Sequence, residues 1–112
     1  MNNAQIQNAV IHFTDLLTAQ MARAEALQKE GDFVDYAALD KLIIGVCGGD
    51  GIGPAITAQS ERVLRYLLAD EVIAGKVEFR TIDSLTIERR AEVNKAIPDE
   101  TMAELKACHV IL

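Results

Sequence analysis

Hydrophobic positions along this chain of 112 residues follow two different periods. From Ala4 to Glu30 there is no proline or glycine, and Ile6, Val10, Phe13, Leu17, Met21, Ala24 and Leu27 recur at steps of three and four. That spacing lines one face of an amphipathic helix. Gly31 is a natural stop, and Lys29 suits the last turn, where the helix dipole favours a cation. The predicted helix is about twice the usual length. A few neighbouring strands could not cover its stripe, so the helix is expected to lie along another subunit or clasp a larger body.

The second period begins after a connector, residues 32–41, in which Phe33, Tyr36 and Leu39 repeat at three and predict a short helical turn pinned to the core. Residues 42–47 are apolar on both faces and β-branched at Ile43, Ile44 and Val46, the pattern of a strand buried on both sides of a parallel sheet. Residues 54–74 return to helical spacing, with Ile56, Ser60, Val63, Leu64, Leu67, Leu68 and Val72 as the predicted inner face and Gly75 as the stop. Gln59, Glu61, Arg62, Arg65 and Asp70 are placed largely outside. Residues 76–82 alternate, with Val77, Phe79 and Thr81 on one face, and read as a strand toward the sheet edge. A short helix is expected over 86–92, another from Ile97-Pro98-Asp99-Glu100 to about Ala107, and a third strand over 109–112. Helices alternating with strands predict an α/β fold with a parallel sheet.

Composition narrows the partners. Half of the residues are apolar, a quarter are charged, and the net charge is −6 without a cluster of Lys and Arg. An acidic surface repels phosphate backbones, which argues against nucleic acid. The N-terminus lacks the basic segment and apolar run of a secretory signal, and no apolar run approaches the ~20 residues of a membrane span. No membrane partner is expected, and the location is expected to be cytoplasmic. Cys47 and Cys108 have neither disulfide-scaffold nor zinc-site spacing and read as reduced thiols.

The most specific stretch is Gly48-Gly49-Asp50-Gly51-Ile52-Gly53-Pro54, between the first strand and the helix after it. Glycine allows positive φ and close backbone approach, and proline suits the first turn of a helix. The stretch reads as a tight strand-to-helix turn, a usual place for a ligand loop. It is not a Rossmann fingerprint, because Gly49, Gly51 and Gly53 are spaced by single residues and Asp50 stands where a pyrophosphate would lie. Nor is it a P-loop, because Pro54-Ala55 follows Gly53 where Lys and Ser or Thr are required.

As a string, Ile43-Ile44-Gly45-Val46 followed by Gly49-Asp50-Gly51-Ile52-Gly53-Pro54 resembles the opening of the isocitrate/isopropylmalate dehydrogenase family. Val77-Glu78-Phe79 looks like that family's second strand. Ile97-Pro98-Asp99-Glu100-Thr101 looks like the start of the helix feeding its third, and residues 107–112 look like the third strand itself. Residues 85–88 and 94–98 lean toward isocitrate-type members. The chain is thus expected to divide into a helical extension, 1–40, and the incomplete N-terminal part of the large dehydrogenase domain, 41–112. Ala55 departs from the acidic residue that usually follows the proline.

The resemblance implies a metal-dependent oxidative decarboxylase of a 2-hydroxy acid, isocitrate above all, using NAD or NADP with Mg2+ or Mn2+. It places Gly51, Ile52 and Gly53 beside the adenosine end of the cofactor, with Ile52 against adenine. The family's Lys-Gly-Pro loop, substrate segment, tyrosine–lysine pair and metal-binding aspartates have no counterpart before Leu112, so no catalytic or metal residue is assigned and the chain alone is expected to be inactive. His12, His109, Tyr36 and Tyr66 read as structural, and Arg89-Arg90 as a solvated helix face rather than a carboxylate clamp. The alternatives are a non-catalytic assembly module, forming a homo-oligomer through the helix from Ala4 to Glu30, and a small nucleotide-binding protein.

Overall fold

A computed structural model describes residues 2–31 and 33–112. They form two compact units, Met1–Val34 and Asp35–Leu112.

The first unit is one helix, α1 (Asn3–Lys29), of 27 residues. Its start is a capping box: the Asn2 side chain accepts from Gln5 N–H, and the Gln5 side chain accepts from Asn2 N–H, both at 2.9 Å. Two of the helix's otherwise orphaned donors are thereby satisfied. The helix matches the expected span, and none of its residues is buried. Phe33, expected as an anchor of the connector, is fully exposed.

The second unit opens with a single 3-10 turn, Tyr36–Ala38, whose N-cap Asp35 accepts from Ala37 N–H at 3.0 Å. Leu39 is half-buried, and the Tyr36 hydroxyl donates to His109 C=O at 3.4 Å. Three strands follow: β1 (Leu42–Val46), β2 (Val77–Thr81) and β3 (Val110–Ile111), all parallel in the order β2-β1-β3. The central strand is the apolar run, and β2 lies at an edge, as its alternation predicts. Between β1 and β2 run α2 (Gly53–Leu67) and α3 (Ala69–Ile73); between β2 and β3 run α4 (Ile87–Val93) and α5 (Asp99–Lys106).

Because the chain steps from β1 to one side and returns past it to the other, right-handed crossovers put the two helical connections on opposite faces. Two contacts agree. Arg65 of α2 stacks 4.3 Å above the Phe79 ring, on the face of Ile44, the residue paired with Phe79. On the Gly45 face, any Cβ at that glycine would come within 2.9 Å of the sulfur of Cys108, just after α5.

Ile44, Val46 and Ile82 form the buried apolar core. Full burial of such a side chain contributes about 1.5–3 kcal/mol. Thr101, fully buried, donates through Oγ1 to Ser84 Oγ at 2.6 Å, and Pro98 is buried beside the start of α5. This polar contact joins α5 to the loop after β2.

Three further expectations need correction. The helix expected over 54–74 is two segments, separated at Leu68, whose φ and ψ are −106° and 23°. The break puts Asp70 and Glu71 in the first turn of α3, where the helix dipole favours acids. The buried side of α2 and α3 is only partly the one predicted: Leu64, Leu68 and Val72 turn inward as expected, whereas Ile56, Ser60, Val63 and Leu67 do not, and Glu61 does. Thr57, Glu61, Leu64, Leu68 and Val72 are half-buried, while Ile56, Ser60, Val63, Tyr66 and Leu67 are exposed. Gly53, Thr57 and Glu61 form one half-buried i, i+4 row, small and polar, which continues into the apolar Leu64, Leu68 and Val72. Tyr66 is 83% exposed and fills no packing position.

Candidate ligand loop at the end of the central strand

The glycine stretch leaves the C-terminal end of β1, the strand at which the order of the sheet reverses. In open α/β sheets such a switch point is where ligands gather. Gly49 and Gly51 have φ of +62° and +63°, a conformation that side chains other than glycine's adopt at a cost. Gly53 is required for another reason. A Cβ there would lie 2.0 Å from Gly48 C=O, so only a glycine lets α2 begin so close to the strand end.

Asp50 ties the loop to the far side of the sheet unit. Its Oδ2 accepts from Ile87 N–H at 2.9 Å, at the start of α4, and lies 3.8 Å from the Arg90 guanidinium. Sequence reasoning marked Asp50 only as hostile to a pyrophosphate; its structural partner lies 37 positions away, beyond any local pattern.

The first donors of α2 are already engaged. Gly53 N–H donates to Asp50 C=O at 3.1 Å, Ala55 and Ile56 N–H both donate to Ile52 C=O at 3.1 and 3.2 Å, and Pro54 has no N–H. A phosphate at this terminus would have to displace those bonds and approach the Asp50 carboxylate. The geometry therefore agrees with the spacing in disfavouring a phosphate cradle.

Of the three residues assigned to the cofactor, Gly51 and Ile52 form the exposed tip and Gly53 lies inside the turn. Nothing stands within 4 Å of a Cβ built on Gly51, and Ile52 is 77% exposed. A flat ligand could rest against Ile52 and approach the Gly51 backbone. Gly53 faces Gly48 and serves the turn itself.

Beneath the loop is a cleft of about 380 Å³, walled by Gly48, Gly49, Pro54, Ala58 and Val46, with Thr57, Glu61, Asp83 and Thr86 as its polar edge. The tip residues Gly51 and Ile52 are not part of it. Thr57 Oγ1 donates to Gly53 C=O at 2.6 Å, and Glu61 pairs with Arg65 at 2.7 Å. Thr86 caps α4 by accepting from Arg89 N–H at 3.3 Å.

Other side chains that could carry chemistry are engaged elsewhere. Arg89 binds Glu92 and Glu100, at 2.9 and 2.5 Å, and Arg90 donates to Leu85 C=O at 3.1 Å. These partners match the solvated-face reading of the pair, and the Glu100 carboxyl is held below its ordinary range by Arg89. Glu78 is likewise held low by Arg80 and Lys41, at the outer edge of β2. Cys47 and Cys108 are free, half-buried thiols. Burial, with Cys108 nearby, pushes the Cys47 thiol up, away from the nucleophilic thiolate.

Among the described residues, no three His, Cys, Asp or Glu side chains gather where they could hold a metal ion. These residues do not fit the divalent ion that the resemblance implies. Among the described residues no helix is long and apolar enough to cross a membrane. No family model, curated protein or solved structure matches the chain.

Proposed function

We propose that this chain is the N-terminal part of a metal-dependent, NAD(P)-linked oxidative decarboxylase of a 2-hydroxy acid, isocitrate being the preferred substrate, with the dehydrogenase-like sheet begun by β1, β2 and β3. The observation that supports it is the family-like Gly49–Pro54 hexapeptide on a β1-to-α2 turn with an exposed Ile52 tip. In this reading Gly51 and Ile52 receive the adenosine of NAD or NADP, adenine lying on the isoleucine, and Gly53 keeps the turn tight. The nicotinamide supplies the hydride acceptor when bound. The Mg2+ or Mn2+ and the groups that move protons are held outside these residues.

Isothermal calorimetry with NAD, NADP and AMP tests the adenosine contact. Weak binding shared by all three is expected, because the common moiety is the one contacted. No heat with any of them would sink it. With isocitrate, magnesium and either cofactor, the 112 residues alone should give no turnover. A cytoplasmic location goes with this reading, since free thiols suit a reducing compartment.

A second reading is favoured by α1, which exposes its whole apolar stripe. In it the chain is a non-catalytic assembly module that forms a homo-oligomer through this helix. Size-exclusion chromatography with light scattering tests it, and a strictly monomeric mass removes it.

A further inference from the structure

We infer that α1 pairs with the α1 of a second copy as a parallel, in-register, two-stranded coiled coil whose register is set by Gln20. The inference rests on the assembly reading above and adds its geometry. Ile6, Phe13, Gln20 and Leu27 repeat every seven residues, as do Val10, Leu17 and Ala24. Together they fill the two core columns of a heptad, d and a, over three heptads.

The helix leaves this seam open along its length, as none of its residues is buried. Ile6, Val10, Phe13, Leu17 and Leu27, with Leu16 and Met21 beside them, are all exposed. These seven side chains form an exposed apolar face along the helix for a second helix to cover.

Gln20 distinguishes the possible occupants. In an antiparallel pair each d residue faces an a residue, so Gln20 would meet Val10, Leu17 or Ala24 and leave its amide unpaired. In a parallel pair in register it meets the second copy's Gln20. Each amide carries both donors and an acceptor, so the two satisfy one another. A polar residue at one core position is a known means of fixing register and strand number.

The flanks point the same way. With this assignment Leu16 is a g position and Met21 an e position. Parallel pairing sets each g against the partner's e five residues on, bringing Leu16 against the second copy's Met21. It also sets Arg23 against the second copy's Gln28, so no like charges oppose there. Asp15, Glu25 and Lys29 fall on the outer positions of the heptad. Antiparallel pairing sets g against g and separates Leu16 from Met21.

The test uses the full chain carrying Ala24→Cys, oxidised under mild conditions, with light scattering for mass and peptide mapping for the new bond. A dimer that forms a disulfide between its two introduced thiols is expected. A 1:1 mixture of Ala24→Cys and Phe13→Cys chains should give far less of the mixed disulfide. A dimer that prefers the mixed disulfide is antiparallel; it would overturn this inference while leaving assembly through α1 intact. A trimer also overturns it, and a monomer overturns both. Gln20→Leu should replace the single dimer by a mixture of oligomers, and an unchanged dimer would remove Gln20 from its role.

Discussion

His109 and Ile43 exchange two hydrogen bonds across the central and third strands. His109 N–H donates to Ile43 C=O, and Ile43 N–H donates to His109 Nδ1, both at 2.9 Å. The imidazole stands in for a backbone carbonyl just before β3 begins, and Nδ1 can accept only when the proton is on Nε2. His109→Ala would leave a half-buried amide of the central strand unpaired. The expected loss is about 1–3 kcal/mol in urea denaturation. His109→Asn, which restores an acceptor, should recover part of it; equal losses for both variants would contradict this role.

The loop glycines should rank by mechanism. Gly53→Ala drives a Cβ into Gly48 C=O, and a backbone shift of that kind costs about 1–3 kcal/mol or more. Gly51→Ala meets no atom and carries only the positive-φ penalty of about 1–2 kcal/mol. Denaturant midpoints of the two variants give the order. Gly51→Ala as the more damaging change would refute the close-approach account.

Asp50→Ala removes the acceptor for Ile87 N–H, at an expected cost of about 1 kcal/mol. Asp50→Asn keeps an acceptor oxygen and should lose less. Amide exchange at Ile87 reads the contact directly: faster exchange in the alanine variant is expected, and an unchanged rate would argue against it.

The Glu100 carboxyl, held low by Arg89, gives stability a defined acid dependence. The unfolded chain protonates this group at higher pH than the folded one does. Its contribution is therefore present above the ordinary carboxylate range and fades as pH falls through the lowered folded value. Glu100→Gln should flatten that part of a Tm-against-pH curve, and 1 M salt should mimic it partly, since the pair is exposed. A curve of unchanged slope in the variant would rule the pair out as a source.

Ile52→Asp tests the proposed adenosine contact without disturbing the fold, because the side chain is exposed at the tip. Binding of NAD, NADP and AMP should weaken together, by about tenfold or more if an apolar face worth ~1.4 kcal/mol is lost. Equal affinity in the variant and the parent would place adenosine elsewhere.

The fold was legible where burial imposed a period. The β-branched run Ile43, Ile44 and Val46 announces a central strand, and the alternation of Val77, Phe79 and Thr81 an edge strand. The buried side of α2 was legible only in its second half, at Leu64 and on to Leu68 and Val72, because in the first half a small and polar row, Gly53, Thr57 and Glu61, is half-buried while Ile56 and Val63 are exposed. Hydropathy alone ranks the rows of that first half in the wrong order. Of the loop, that a tight strand-to-helix turn calls for glycine could be read from the run; that residues 49 and 51 are the ones with positive φ could not. The Asp50–Ile87 bond and the Thr101–Ser84 contact join residues distant in sequence, and no spacing rule reaches them.

The turn that carries Ile52 is fixed at both feet, by Gly53 against Gly48 and by Asp50 against the start of α4. A ring settling on that tip would immobilise little backbone, so the entropy of ordering the loop falls on folding rather than on association. Contact at Ile52 would therefore be a rigid docking event. Its strength would follow the fit between two preformed surfaces rather than the closing of a flexible arm.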